Sequence, residues 1–362
     1  MDNNKFYKQL VQRYHSGEAN EQEIALFLDL LRTGQLDDIM EGHMNAQLNI
    51  APASQQRIHF YTFLKYAAVI LVLMLAGGGL YYKRYQQDRE NEIAKMNNIG
   101  PATSRAMLKL ADGRNIILDS TFGELVVQDS TILDKSGKLV HEGENELYEV
   151  SVPRGGTFHL SLSDGSKVWL NSGSSLKFPQ KFAADLRKIE LKGEAFFEIR
   201  KQSGTNGTRI PFVVQTAKQT IEVLGTSFNV KSYGQENEES TLFTGIVKVK
   251  NNSTSHEALL SPGNTATLEE NSQIKIRKAD LEEIASWRSD AFVFYETNIK
   301  EILNQLSRWY NVDIVFVGSS DYQFNGYVQR NVSLGEALET LKGTGELDYQ
   351  YKDQKVIINR KK

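Results

Sequence analysis

The run from Phe60 to Tyr82, FYTFLKYAAVILVLMLAGGGLYY, constrains this chain more than any other feature. Tyr66 to Tyr82 holds 17 residues without a formal charge, and from Phe60 there are 23 with Lys65 as the only charge. A helix of that length spans about 35 Å, enough for a hydrocarbon core of about 30 Å. Phe60, Tyr61, Phe63 and Tyr66 at one end and Tyr81, Tyr82 and Tyr85 at the other have the pattern of interfacial belts. A buried core helix is the alternative, but core helices seldom carry so long an uncharged run. The run starts too late in the chain for a cleavable signal peptide, so a retained single-pass anchor over 60–82 is expected. Its flanks carry Arg57 and Lys65 on the N-terminal side and Lys83, Arg84, Arg89 and Lys95 on the C-terminal side. Those charges alone lean towards a cytoplasmic C-terminus.

Before the run, two amphipathic helices are predicted. Asn3 to Ser16 places Phe6, Leu10, Val11 and Tyr14 on one stripe. Glu21 to Arg32 places Ile24, Phe27, Leu28 and Leu31 likewise, with Asn20 as N-cap and Glu23 completing a capping box. A short third helix is expected over Leu36 to Met40, then a polar linker over 43–59. So few short helices bury little by themselves, so their apolar stripes suit a partner groove. Residues 1 to 58 hold five Lys or Arg against eight Asp or Glu, a weak bias towards a basic partner.

After the run, a polar stalk is expected over 83–99, and from about Gly100 the period changes to two. Phe158, Leu160 and Leu162 alternate with His159 and Ser161. Asp164-Gly165 then turns the chain and Val168 and Leu170 return, which predicts a hairpin. AMLKLADGRNIILDS (Ala106 to Ser120) and FHLSLSDGSKVWLNS (Phe158 to Ser172) share six of fifteen positions in register. The same hairpin used twice in stacked sheets explains the repeat. From Ile189 to Ile199 apolar residues alternate with charged ones, Phe196 being the exception on the polar face. Many short strands between Gly, Asn and Ser turns make a mainly-β domain over 100–278, as a sandwich, barrel or solenoid. A linking helix is expected within 279–290. The order βαββαβ(β) over 291–362 predicts a small α+β domain. Its helices start at the caps Asn298 and Ser333 and carry the stripes Ile299, Ile302, Leu303, Leu306, Tyr310 and Leu334, Ala337, Leu338, Leu341.

Chemistry is sparse. The chain has no cysteine and a net charge of −3, which excludes thiolate metal sites and gives no basic field for nucleic acid. No two of the six histidines have metal-ligand spacing, and no phosphate loop or nucleophile elbow occurs. Glu194 and Glu198 share a strand face but lie about 13 Å apart, beyond the roughly 5–9.5 Å of paired glycosidase carboxylates. Neither an enzyme nor a cofactor is expected.

Four stretches resemble the FecR-like family of single-pass membrane anti-sigma factors, in its Bacteroidetes form: VPRGGTFHLSLSDGSKVWLNSGSSLKFP (Val152 to Pro179), RKIELKGEAFFEI (Arg187 to Ile199), PFVVQTAKQTIEVLGTSFNV (Pro211 to Val230) and LLSPGNTATL (Leu259 to Leu268). The tail from Ser289 is similar to the domain that follows in this family, and its element order to the short N-terminal domain of secretins and TonB-dependent receptors. RYHSGEANEQEIALFLDLL is similar to the family's cytoplasmic start. The resemblance implies a relay across the inner membrane. Residues 1–42 would bind an ECF-type sigma factor in the cytoplasm, with Phe6, Leu10, Tyr14, Ile24, Phe27, Leu28 and Leu31 lining the contact. The β-rich domain and the tail would lie in the periplasm and answer to the signalling domain of an outer-membrane TonB-dependent transporter. Besides these two partners only membrane lipid is implied, with no direct nucleic acid. The N-terminus would be cytoplasmic, against the lean of the flanking charges. Some members break their own chain at a Gly-Thr bond, and Gly225-Thr226 matches that motif. The competing reading is a membrane-tethered periplasmic binding or assembly protein that docks a transporter or secretin without holding a sigma factor.

Overall fold

A computed structural model describes residues 3–48, 60–234, 236–269, 273–318, 322–345, 347–352 and 354–360, with backbone alone for 45, 47–48 and 60–68. The chain divides into two units, Met1–Tyr82 and Lys83–Lys362.

The first unit begins with three helices, α1 (Asn3–Ser16), α2 (Glu21–Arg32) and α3 (Asp37–Leu48). Asn20 caps α2 through a reciprocal box, its Oδ1 accepting from Glu23 N and its own N–H donating to Glu23 Oε2, both at 2.9 Å. Gly17 and Gly34 follow α1 and α2 at φ +73° and +71°, a conformation that suits a residue without Cβ. Leu10, Val11, Phe27, Leu30 and Leu36 form the core, and Tyr14 stacks on Phe27 at 4.0 Å between centroids. The third helix is longer than the expected Leu36 to Met40 and takes in the start of the expected linker; 49–59 lie outside the described residues.

The apolar run falls in α4 (Phe60–Asn97), which continues unbroken through Gly77, Gly78 and Gly79 and on into the second unit. From Val69 to Leu75 and from Leu80 to Tyr82 its large apolar side chains are exposed. Among the described residues no helix is long and apolar enough to cross a membrane. The side chains of the expected span are described only from Val69, and Val69 to Tyr82 is about 21 Å of helix, short of about 30 Å. The N-terminal aromatic belt, Phe60 to Tyr66, lies outside the described side chains.

In the second unit, 19 strands between Thr103 and Lys278 form one strongly curled sheet. Its two arms share the twelve-residue strand Arg187–Glu198. The first half of that strand pairs with Ser174–Pro179 and Phe212–Gln215, the second half with Lys167–Leu170 and Ser227–Ser232. Gly193 sits between the halves at φ +87°, where a Cβ would collide with Ser174. The bend there turns the arms to face each other, so the inward residues of both enter one core that includes Leu108, Tyr148, Phe178, Phe197 and Phe228. The expected mainly-β domain is therefore one curled sheet, a half-barrel, and not the sandwich or solenoid also expected.

The internal repeat is a repeat of geometry. In each hairpin the Asp carboxylate accepts the backbone N–H two residues on, Arg114 N to Asp112 and Ser166 N to Asp164, both at 2.9 Å. Only the second turn is buried: Arg187 pairs with Asp164 at 2.7 Å, with the two side chains 1% and 3% exposed. Arg187 also donates to the Arg200 and Ile210 carbonyls, so the pair is hydrogen-bonded as a buried charge requires.

After the sheet come α5 (Leu281–Ala285) and a 3-10 turn, Ser286–Arg288. The tail follows the expected order, strand Ala291–Asn298, α6 (Ile299–Tyr310), strands Asp313–Val317 and Gln323–Gln329, α7 (Leu334–Lys342), and strands Leu347–Lys352 and Lys355–Arg360. The strands form two small sheets, and both predicted helical stripes are buried. This core also takes in the end of α4. Met96 is 1% exposed, with Ile93 and Ile99 packed beside it. Leu334 N donates to the Ile99 carbonyl at 3.0 Å, and Gly335 leaves room for Asn97 that any Cβ would fill.

Candidate functional site

The seven residues expected to line a sigma contact separate into two sets. Leu10 and Phe27, each 3% exposed, belong to the core of the helical unit. Burial follows from geometry: α1 and α2 need a shared seam before either can present anything, and these two residues make it. Tyr14 stacks on Phe27 with one face and remains exposed. Phe6, Ile24, Leu28 and Leu31 are exposed. The last three follow the i, i+4, i+7 spacing of one helical face, while Phe27 and Leu30 take the inner face. Thus α2 is apolar on two sides, and its second side is open.

Gly225 and Thr226 lie between the strands Gln219–Val223 and Ser227–Ser232. Gly225 has φ +149°, where a Cβ would run into the Lys201 side chain. Thr226 is buried, and its hydroxyl donates weakly to the Ile246 carbonyl at 3.4 Å. The bond borders a depression of about 420 Å³ walled in part by Leu224, Ile246 and Leu259, all three exposed. A hydroxyl and a preceding carbonyl held in a conformation only glycine adopts readily are the parts an acyl shift uses.

A polar junction joins the curled sheet to the tail, and periodicity gave no sign of it. Arg154, inside the VPRGGTF stretch, reaches the C-terminal end of α6. Its Nη2 donates to the Ser307 carbonyl at 3.0 Å and the Val312 carbonyl at 2.7 Å, and its Nη1 lies 3.1 Å from Asp313. Helix C-termini carry unpaired carbonyls and partial negative charge, so a guanidinium is well placed there. Gly155 N adds a bond to the Arg308 carbonyl at 2.7 Å. From the other direction Arg308 meets Glu236 at 2.5 Å, Lys231 meets the same carboxylate at 3.1 Å, and Asn304 donates to it at 3.2 Å. Burial alone would raise the Glu236 carboxyl, but the two cations override it and hold the group below its ordinary value. Arg308 also lies 3.8 Å over the Tyr233 ring. The sequence signals only the tight turn there, Gly155 standing at φ +70° with Gly156 N donating to the Pro153 carbonyl at 3.1 Å; that Arg154 on this turn reaches the tail has no local sign.

The outer face of the shared strand explains Phe196. Arg288 lies 3.4 Å over its ring, and Trp169 and Phe243 meet it edge-on. Glu194 accepts from Asn171 and Asn229, and Asn229 in turn accepts from Trp287 Nε1 at 3.1 Å. This face is covered by the linking turn, so its break in alternation was the mark of a docking site. Among the described residues no group of His, Asp and Glu could hold a metal ion.

Comparison with known proteins bears on the parts just described. Residues 148–248 match the FecR protein family, and residues 291–358 match the family described as FecR, C-terminal. Two crystal structures of a "putative anti-sigma factor" from Parabacteroides distasonis, at 2.50 and 1.65 Å, are similar to this chain. Both are 28% identical to it, with TM-scores of 0.54 and 0.53. The first comparison covers 60% of this chain and 100% of the other, the second 59% and 99%. No curated protein matches.

Proposed function

The chain belongs to the FecR family, and from that premise we propose that it is an anti-sigma factor of the inner membrane whose first helices hold an ECF-type sigma factor in the cytoplasm. It is a regulator and not an enzyme. The observation that carries the reading is the open apolar face Ile24, Leu28 and Leu31 on a helix whose other face already has its core. Such a face matches a helix-in-groove partner. The apolar part of α4 is its single-pass anchor: side chains exposed around the helix suit lipid better than water. The second unit then lies in the periplasm and answers to the signalling domain of a TonB-dependent transporter. The edge strand Asp313–Val317, paired on one side only and exposing Val315 and Val317, supports docking by strand addition. Because Met96 is seated in the same domain, a partner that disturbs this domain reaches the anchor helix directly.

The Gly225–Thr226 bond belongs to this proposal as a self-cleavage point. The Thr226 hydroxyl oxygen adds to the Gly225 carbonyl carbon, the C–N bond breaks, and the freed amine takes the hydroxyl proton. Water then hydrolyses the ester.

The test is co-purification of the full chain with each ECF sigma factor of its own genome. One should be captured, and Leu28→Asp with Leu31→Asp should lose it. Capture of none overturns the sigma role and leaves the tethered docking protein, which the edge strand would serve without any cytoplasmic partner. Reporter fusions at both termini test the orientation, and an exposed N-terminus would sink it.

A further inference from the structure

All three tryptophans of this chain line one cavity of about 360 Å³. They come from three segments: Trp169 from the strand Lys167–Leu170, Trp287 from the 3-10 turn, and Trp309 from α6. The volume lies at the small end of the roughly 300–1,000 Å³ of ligand pockets, which are mostly aromatic or apolar with a few polar groups. Two of the indole N–H groups are already used, Trp287 on Asn229 and Trp309 on the Arg330 carbonyl, both at 3.1 Å. What the cavity offers a ligand is therefore aromatic surface, chiefly of Trp169 and the open face of Trp309, since Trp287 is buried and Arg330 lies 3.6 Å over the other face of Trp309.

The charges around the cavity are taken or absent. The Arg288 guanidinium lies 3.4 Å over Phe196 and 3.9 Å from Glu198. His159, directly across the strand pair from Trp169, is held below its ordinary pKa by burial, with the Glu124 carboxylate 3.8 Å from its ring opposing that shift. The polar groups left over are hydroxyls. Ser104, Ser120 and Thr157 line the cavity, and none has a side-chain hydrogen bond among the described residues. A cavity of this kind selects against ions, because no free charge repays their desolvation. It selects for a ring with an apolar face to lie on indole and a rim of hydroxyls to meet hydroxyl and imidazole.

We propose that the cavity lined by Trp169, Trp287, Trp309, His159 and Thr157 is a binding site for a neutral saccharide of one or two rings. Because its walls come from the curled sheet, the linking turn and the tail, a bound sugar favours the arrangement in which the three are closed together. The site would thus give the periplasmic unit a ligand of its own, separate from any protein partner.

The test uses the full chain in lipid nanodiscs, titrated with maltose, cellobiose and N,N′-diacetylchitobiose and read by tryptophan emission and calorimetry. At least one disaccharide should give a saturable response in both. Trp169→Ala should weaken it about tenfold, the loss of one aromatic contact. Thr157→Val, nearly isosteric, should weaken it about fivefold with an unchanged unfolding midpoint. Absence of a saturable response to all three sugars overturns the proposal. So does undiminished binding by Trp169→Ala and Thr157→Val together, or tighter binding of glucose 6-phosphate than of every neutral sugar.

Discussion

Replacing Met96 by alanine should release the stalk from the tail while both remain folded. Met96 is 1% exposed, so its side chain is out of water and in contact on all sides. The substitution removes three heavy atoms, Cγ, Sδ and Cε. At about 0.8 kcal/mol each the transfer loss is about 2.4 kcal/mol. The cavity left behind brings the cost to about 3 kcal/mol, within the 2–5 kcal/mol range typical of Met to Ala in cores. If the cost falls on docking of the stalk, the undocked population rises roughly a hundredfold, since about 1.4 kcal/mol is one decade. Hydrogen exchange of the full chain, read by mass spectrometry over Glu92 to Asn98, measures that population. Exchange there should accelerate by about two decades in Met96→Ala, with Met96→Leu close to wild type because it conserves volume. An acceleration of less than about threefold in a folded Met96→Ala chain would refute the reasoning, because a side chain in real contact cannot be removed so cheaply.

Four further outcomes are expected. Leu28→Asp with Leu31→Asp should abolish sigma capture at an unchanged melting temperature, whereas Phe27→Ala should destabilise the helical unit by about 3–5 kcal/mol through its core. Glu236 has a folded pKa below its ordinary 4.5. Its stabilisation is therefore present above that value and lost as pH falls through the lower one. Denaturant midpoints should decline on acidification below about pH 4.5, and Glu236→Gln should flatten that decline while lowering stability at pH 7 by up to about 3 kcal/mol. Thr226→Val should leave one band on a denaturing gel under conditions where wild type gives two; two bands from the variant would remove the hydroxyl from the mechanism. Replacing Gly77, Gly78 and Gly79 with leucine, which removes about 1 kcal/mol of helix weakness per residue, should impair signalling in a reporter assay without affecting membrane insertion.

How far the sequence could be read depended on whether the information was local. The box Asn20–Glu23, the caps Asn298 and Ser333 and the turns at Asp112-Gly113 and Asp164-Gly165 are complete within a few residues, and all formed as expected. The helical stripes of the tail were equally legible because every member is buried. In α1 and α2 the same pattern does not by itself separate the inner face from the outer. Leu10 and Phe27 carry the same apolar signal as Leu28 and Leu31, and only packing decides which face is used internally. Arg187 meeting Asp164, Arg154 on the end of α6 and Met96 in the tail's core join segments far apart in the chain. Periodicity has no access to such pairs. Phe196 is the middle case: its misfit was visible, but the Arg288 that covers it was not.

The seat of Met96 has a consequence for biogenesis. Residues that share its core, such as Leu334, Leu338 and Leu341, are synthesised long after the stalk, which is among the first parts of the second unit to emerge. Until the tail arrives, Ile93, Met96 and Ile99 have no cover, and a chain cut short anywhere before Leu334 never gains it. The end of α4 therefore reports whether the tail has folded, a state that any quality-control protease able to grip an unsheltered helix could read.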